Sequence, residues 1–307
     1  MRVLVTGGAG FIGSHVVDAL LAQGHQVWAL DNLEGGRAEF VAAPAQLVVG
    51  DIRHPTEWAE QVPKVDVVLH LAAQVSVPHG EQDPLDDGST NVMGTLKLLQ
   101  WAKHMGVREF RFASSAAVYG VPMALPLKES APLSPLAFYG MHKQAGEWDV
   151  RHFCEINGMI GVALRLANVY GPRQRNEGEG AVVAAFSHAL ATDRPAVLHG
   201  DGGQSRDFIF VEDVARAFTT RLGQLERGYT LNIGTAKATT ILQLWQHLAR
   251  LAGKDPSQVR FAPARQGDIR HSLLAVDEAE ACLGFRAEVP LEEGLRKTYS
   301  YLSVAQQ

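Results

Sequence analysis

Val3-Leu4-Val5-Thr6-Gly7-Gly8-Ala9-Gly10-Phe11-Ile12-Gly13 is the stretch that decides the fold. Val3, Leu4 and Val5 form a continuous apolar run bounded by glycine, which reads as a short buried strand. Over residues 11–23 apolar side chains recur at helical spacing (Ile12, Val16, Val17, Leu20, Leu21), and Gly24 closes the run. Strand, glycine turn and helix together aim bare backbone N–H groups and the positive helix end at one point, a ready seat for a phosphate. Gly7, Gly10 and Gly13 follow the spacing Gly-x-x-Gly-x-x-Gly, and a Cβ there would obstruct both the turn and a ligand's close approach. A glycine triplet alone often only punctuates a loop. Here a second strand-like run, 26–30, ends in Asp31, where the hydroxyls of an adenosine ribose are expected to bind. The combination reads as a dinucleotide site. An acid at position 31 would repel a 2′-phosphate and so favours NAD over NADP, although Arg37 is near enough to soften that preference.

The chain has 307 residues, enough for one large domain or two closely packed ones. Hydrophobic residues make up 46% and charged residues 20%, an ordinary globular balance, and a net charge of −5 argues against nucleic acid or a polybasic membrane contact. The N-terminus enters a strand with no basic and apolar leader, and no apolar run approaches membrane-spanning length, so a cytoplasmic protein is expected. Cys154 and Cys282 each lie in an apolar helical pattern and are expected to be buried thiols, with no metal site.

Strand-like and helix-like segments alternate through the first half. Runs 46–49, 65–70 and 110–113 read as buried strands, with helices from about 86 to 105 and from 138 to 157. That alternation predicts an α/β fold on a doubly wound parallel sheet of the Rossmann type. Residues 172–180 read as a polar loop, 181–191 as a helix and 200–203 as a sharp turn, with further helices near 241–252, 277–283 and 291–303. Residues 1–171 are expected to form the dinucleotide-binding domain, with segments around 205–235 returning to it. Residues 172–307 are expected to form mainly a smaller C-terminal α/β substrate domain.

Far downstream of the glycines, Tyr139-Gly140-Met141-His142-Lys143 follows Ser114-Ser115. Free tyrosine has a pKa of about 10 and is a poor base at neutral pH. Tyr139 and Lys143 stand four residues apart on an expected helix and share a face. The ammonium can therefore lower the phenol's pKa, and a bound nicotinamide cation would add to the effect. Ser115 falls at the end of the 110–113 strand, where ligands of open α/β sheets bind, and can hydrogen-bond the same substrate hydroxyl. Tyr-x-x-x-Lys is common as an accidental amphipathic pair. After a serine strand end and a glycine fingerprint it reads as acid/base machinery, and the two motifs together describe a redox enzyme.

With these residues in place the chain resembles the extended short-chain dehydrogenase/reductases, in particular the nucleotide-sugar epimerase/dehydratase group, over nearly its whole length. Residues 5–14 resemble the family opening, Asp51-Ile52 the pair that contacts adenine, and Leu71-Ala72-Ala73-Gln74 the loop over the pyrophosphate and nicotinamide ribose. Segments 91–95, 115–120, 165–172, 206–213 and 232–234 also follow the family pattern. The resemblance implies that Gly7, Gly10, Phe11, Ile12, Gly13, Asp31, Asn32, Asp51, Ile52, Leu71, Ala72, Ala73, Gln74, Asn91 and Ser114 bind NAD together with Tyr139 and Lys143.

Within the group the chain is most similar to the UDP-glucose 4-epimerase type. That implies Tyr139 as base, Lys143 as ribose and pKa partner and Ser115 as proton relay. It also implies that Asn168, Arg206 and the segment Arg265-Gln266-Gly267-Asp268 hold the UDP moiety, as suits a diphosphate. Taken singly, Arg206 and Arg265 read as solvated surface cations, and Asp207 and Asp213 read as structural. In the implied reaction Tyr139 removes the proton of the sugar 4-hydroxyl while C4 passes hydride to NAD. The 4-keto sugar turns about its phosphate linkage, hydride returns to the other face, and C4 is inverted with no net redox change.

Departures from the pattern narrow the reading. Dehydratases and decarboxylases of the group carry acidic residues just after the catalytic serine or threonine, where this chain has Ala116 and Ala117, which argues against both classes. His142 replaces the small residue usual before the lysine, and a harmless solvent-side substitution and a crowded site are both open. Ser272 aligns with a position that limits sugar size, which makes UDP-N-acetylglucosamine a credible second substrate. UDP-glucuronate, a dTDP or CDP sugar, a net nucleotide-sugar oxidoreductase and a non-catalytic NAD sensor stay open as well. Asp31 speaks against the NADP that net oxidoreductases favour, and the intact Tyr139 and Lys143 speak against the sensor. The resemblance also implies a homodimer through the two helices at 86–105 and 138–157.

Overall fold

Val3, Leu4, Val5, Val68, Leu69 and Phe110 have no exposed surface, which is what strands covered by helices on both faces require. The structure, a computed structural model, describes residues 1–175, 181–264 and 268–304. Its strands are β1 Arg2–Thr6, β2 Gln26–Asp31, β3 Gln46–Val49, β4 Val67–His70, β5 Glu109–Ser115, β6 Ile160–Leu166, β7 Asn168–Tyr170, β8 Ala196–His199, β9 Ser205–Phe210, β10 Tyr229–Ile233, β11 Ala238–Thr240 and β12 Val259–Ala262. The α-helices are α1 Phe11–Ala22, α2 Pro55–Trp58, α3 Val77–Gln82, α4 Pro84–Gly88, α5 Thr95–Met105, α6 Phe138–Ile156, α7 Val182–Ala191, α8 Val211–Thr219, α9 Ile241–Leu251, α10 Asp277–Leu283 and α11 Leu291–Val304.

The main sheet has the order β10-β6-β5-β4-β1-β2-β3 and every pairing is parallel. The order in which strands are added reverses between β1 and β4, the switch point at which such sheets bind ligands beyond their strand C-termini. The expected α/β Rossmann-type sheet is therefore present. β10 pairs with β6, and α8 packs against α1, so late parts of the chain complete the first sheet and its helical layer. β9 does not join them. It lies between β7 and β11 in a separate sheet over a core containing Tyr170, Phe208 and Trp245.

Several expectations need correction. The helix expected over 86–105 is α4, a π-turn over Ser89–Gly94 and α5. The strand expected from 65 begins at Val67, because the Asp66 carboxylate turns to accept from the Arg2 N–H at 2.8 Å. Cys154 is buried, and burial pushes its thiol up to about 12, but Cys282 on α10 is partly exposed. Among the described residues, no helix is long and apolar enough to cross a membrane.

Candidate active site

The glycine turn is built for a ligand with its own negative charge. Gly7 has φ +67°, its N–H donates to the Leu30 carbonyl at 2.8 Å, and a Cβ on it would lie 2.7 Å from the Ala72 nitrogen. A Cβ on Gly13 would overlap the Gly7 carbonyl oxygen. Gly10 caps α1 without a side-chain hydrogen bond, and no acidic residue sits in the first turn. The helix thus offers its N–H groups and partial positive charge, a chemistry that fits a pyrophosphate. Asp31, at the end of β2, is only 7% exposed; its Oδ2 accepts from the Ala9 N–H at 3.0 Å and its Oδ1 from the Leu33 N–H at 2.9 Å. Phe11 and Ile12 open α1 above this turn. Asn32 reaches Asp51, which Arg53 grips through Nη2 at 2.7 Å. Burial works against the Asp51 charge, and the Arg53 contacts outweigh it and hold the carboxyl below its ordinary range. Ile52 is buried beneath the same edge.

Loop Leu71–Gln74 crosses the switch point. The Leu71 N–H donates to the Thr6 carbonyl at 3.1 Å and the Ala72 N–H to Thr6 Oγ1 at 3.2 Å. Asn91, in the π-turn, clasps Gln74 from the side: its Oδ1 accepts from the Gln74 N–H at 3.0 Å and its Nδ2 donates to the Gln74 carbonyl at 2.9 Å. Ala73 lies between the two anchors. The buried Asp87 carboxylate accepts from Gln74 Nε2 at 2.6 Å and Asn91 Nδ2 at 2.9 Å, and it contacts His142 Nδ1. Neither reading left open for His142 describes this. The ring, four-fifths buried, ties α6 to a carboxylate that holds the loop.

The residues expected to handle protons lie on β5 and α6. Ser115 ends β5 and its Oγ accepts from the Ala117 N–H at 3.2 Å. Gly140 lets α6 come against this turn, since a Cβ there would sit 2.9 Å from the Ala117 carbonyl oxygen. Lys143 is buried; its Nζ donates to the Ala113 carbonyl at 2.9 Å and stands 5.8 Å from the centre of the Tyr139 ring, one turn earlier on the helix. Burial lowers the Lys143 pKa to about 8, against the opposing pull of Asp87 and Glu147. Glu147, one turn further, accepts from Ser114 Oγ and pairs with Arg165.

The profile of the NAD dependent epimerase/dehydratase family matches residues 3–234. The chain belongs to that family. It is 40% identical to the UDP-glucose 4-epimerase of Mycolicibacterium smegmatis, with 98% of each chain covered. Among solved structures it is similar to the Thermotoga maritima UDP-glucose 4-epimerase with UDP-glucose, at 36% identity, 100% of each chain and a TM-score of 0.92. It is also similar to the Methanobrevibacter ruminantium UDP-N-acetylglucosamine 4-epimerase with UDP-N-acetylmuramic acid, at 34% identity, 100% of this chain, 99% of the other and a TM-score of 0.93.

The residues of this epimerase/dehydratase family member that are expected to face a nucleotide lie on β7, on β9 and in the segment after residue 267. Asn168 opens β7, parallel to β9, and pairs with Phe208. Arg206 on β9 is no free surface cation: its Nη2 donates to Asp268 Oδ1 at 2.5 Å and its Nη1 to the Ser205 carbonyl at 3.0 Å. Ser272 is held by its N–H on the Ser205 carbonyl at 3.1 Å. Arg265 lies outside the described residues. Asp207 and Asp213 are structural as expected: Asp207 accepts from Thr235 and Ala236, and Asp213 from Glu288 and Val289. Sequence reasoning missed Asp87, Glu147 and His70. For Glu147 a signal existed, since residues 139, 143 and 147 share one helix face.

Proposed function

We propose that the protein is an NAD-dependent isomerase that inverts C4 of a UDP-hexose, interconverting UDP-glucose and UDP-galactose. One arrangement carries this reading. Tyr139 and the buried Lys143 lie on α6, which Gly140 brings against the turn after Ser115 and whose Lys143 reaches the Ala113 carbonyl of β5, and the two residues after Ser115 are Ala116 and Ala117. Water elimination needs a further acid or base at this turn, and alanines supply none. The two UDP-glucose 4-epimerases named above, at 36–40% identity over nearly the whole chain, support the same activity.

In this reading Gly7, Gly10, Gly13 and the α1 N-terminus hold the dinucleotide pyrophosphate, Asp31 a ribose, and Asp51 and Ile52 the adenine. When bound there, NAD supplies a reversible hydride sink that makes a 4-keto sugar accessible. Tyr139 takes the proton of the 4-hydroxyl and returns it, Ser115 relays it, and the Lys143 ammonium keeps the phenol acidic. Asn168, Arg206, Asp268 and Arg265 hold the UDP moiety, so that the hexose stays free to turn. A second reading, UDP-N-acetylglucosamine as substrate, draws support from Ser272, which is small and half-buried, and from the Methanobrevibacter relative.

The same proposal divides the chain into a dinucleotide part, residues 1–171 with α8 and β10, and a substrate part from the remainder of 172–307. A homodimer belongs to it, supported by apolar side chains that face outward on α4 to α6: Leu85 is 84% exposed, Trp148 54% and Met141 44%. A cytoplasmic location is supported by two thiols that stand unpaired.

The test is to incubate the purified protein, with no NAD added, with UDP-glucose, UDP-N-acetylglucosamine or UDP-glucuronate and to follow the 4-epimers by NMR. A stable mixture of UDP-glucose and UDP-galactose is expected. Conversion of another sugar alone would reassign the substrate, and no conversion even with NAD added would overturn the reading.

A further inference from the structure

His70 ends β4 beneath the loop, wholly enclosed, with the rings of Phe110 and Phe112 at 5.7 and 5.6 Å. For an uncharged ring its contacts allow only one arrangement of protons. Thr95 Oγ1 lies 2.7 Å from the Asn91 carbonyl oxygen, which has no proton to give, so the hydroxyl donates. That uses its one hydrogen, and the 3.0 Å contact between Thr95 Oγ1 and His70 Nε2 must then be an N–H donated by the ring. On the other side, Thr6 Oγ1 accepts from the Ala72 N–H and is left to donate to His70 Nδ1 at 2.7 Å. The chain of bonds therefore runs in a single direction, from the Ala72 amide through Thr6, His70 and Thr95 to the Asn91 carbonyl. Asn91 is also the residue whose side chain clasps Gln74.

We propose that His70 is a positioning residue: locked as its neutral Nε2–H tautomer, it fixes the spacing between the cofactor loop 71–74 and the π-turn that holds it. A second ring proton would remove the acceptor that Thr6 needs. Burial, and then the Lys143 ammonium nearby, push the imidazole pKa down to about 3 and keep that proton away. The effect on NAD rests on the dinucleotide site proposed above, whereas the tautomer does not.

The test begins with side-chain nitrogen NMR of the intact protein labelled at histidine. One ring with Nε2 protonated, Nδ1 bare and shifts unmoved from pH 5 to 9 is expected; an Nδ1–H tautomer, or titration in that range, would overturn the assignment. Thr95→Val removes the acceptor and is expected to weaken NAD binding about tenfold, with UDP binding unchanged, and Thr95→Ser is expected to restore it. Unaltered NAD affinity in Thr95→Val, with the tautomer as assigned, would sink the positioning role alone. Failure of the unsubstituted protein to bind NAD would instead sink the cofactor reading.

Discussion

Glu147 and Arg165 meet side-on in the interior, with Nε 2.9 Å from Oε1 and Nη2 2.7 Å from Oε2. The pair joins α6 to β6, and Arg165 also reaches Tyr119 Oη at 2.8 Å and the Glu129 carbonyl at 3.0 Å. Breaking a buried pair from one side leaves an uncompensated charge, so Glu147→Ala should lose about 3–5 kcal/mol in denaturant unfolding. Glu147→Gln keeps an acceptor for Ser114 and should lose less. Equal stability of all three proteins would mean that Arg165 finds another partner.

Tyr139→Phe should bind NAD as the parent does and lose roughly 10²–10⁴-fold in turnover, the usual worth of a positioned acid/base. Direct binding and steady-state rates on the same preparation check it. An active phenylalanine variant would remove Tyr139 from the chemistry.

Lys143 gives a pH dependence with a definite sign. Burial lowers its folded pKa from 10.5 to about 8, so between those values the folded protein binds fewer protons than the unfolded chain. Stability contributed by this residue should therefore rise as pH climbs through that window, with about 1.4 kcal/mol for each pKa unit separating the two states. Urea midpoints at pH 7.5 and 9.5 for the parent and Lys143→Met isolate the effect by difference. A pH-independent difference would contradict it. Turnover should move the other way and fall on the alkaline side, as the ammonium beside Tyr139 is lost.

Gly13→Ala places a methyl group against the Gly7 carbonyl oxygen, which is main chain and cannot swing aside. The turn must open, and NAD affinity should drop by at least about tenfold, a loss of about 1.4 kcal/mol. Calorimetric titration with NAD decides it, and unchanged affinity would place the pyrophosphate elsewhere.

The glycine turn and the Tyr139–Lys143 face were legible because each depends on neighbours in sequence, as did the alternation that gave the parallel sheet. The π-turn was not. Apolar spacing across 86–105 looks the same whether the chain winds with four or five residues per bond, and the choice goes with the clasp between Asn91 and Gln74. Asp87 and His142 are far apart in sequence and meet only once α4 lies on α6. Taken singly Arg206 reads as a solvated cation, because its ion-pair partner Asp268 stands 62 residues later in the chain. Cys282 followed its helical pattern, but α10 leaves that side chain partly open.

The position of β10 has a consequence for synthesis. It begins 63 residues after β6 ends, so at about 5–20 residues per second the ribosome leaves the β6 edge without its neighbour for roughly 3–13 s. During that interval Val162, Leu164 and Leu166 present an unpaired parallel edge, a template for wrong pairing between nascent chains. Asn232 of β10 accepts from Tyr119 Oη at 2.6 Å, close behind the turn after Ser115. The sheet that carries Ser115 is therefore not finished when residues 1–171 leave the exit tunnel, and it waits for a strand made only after β7, β8 and β9.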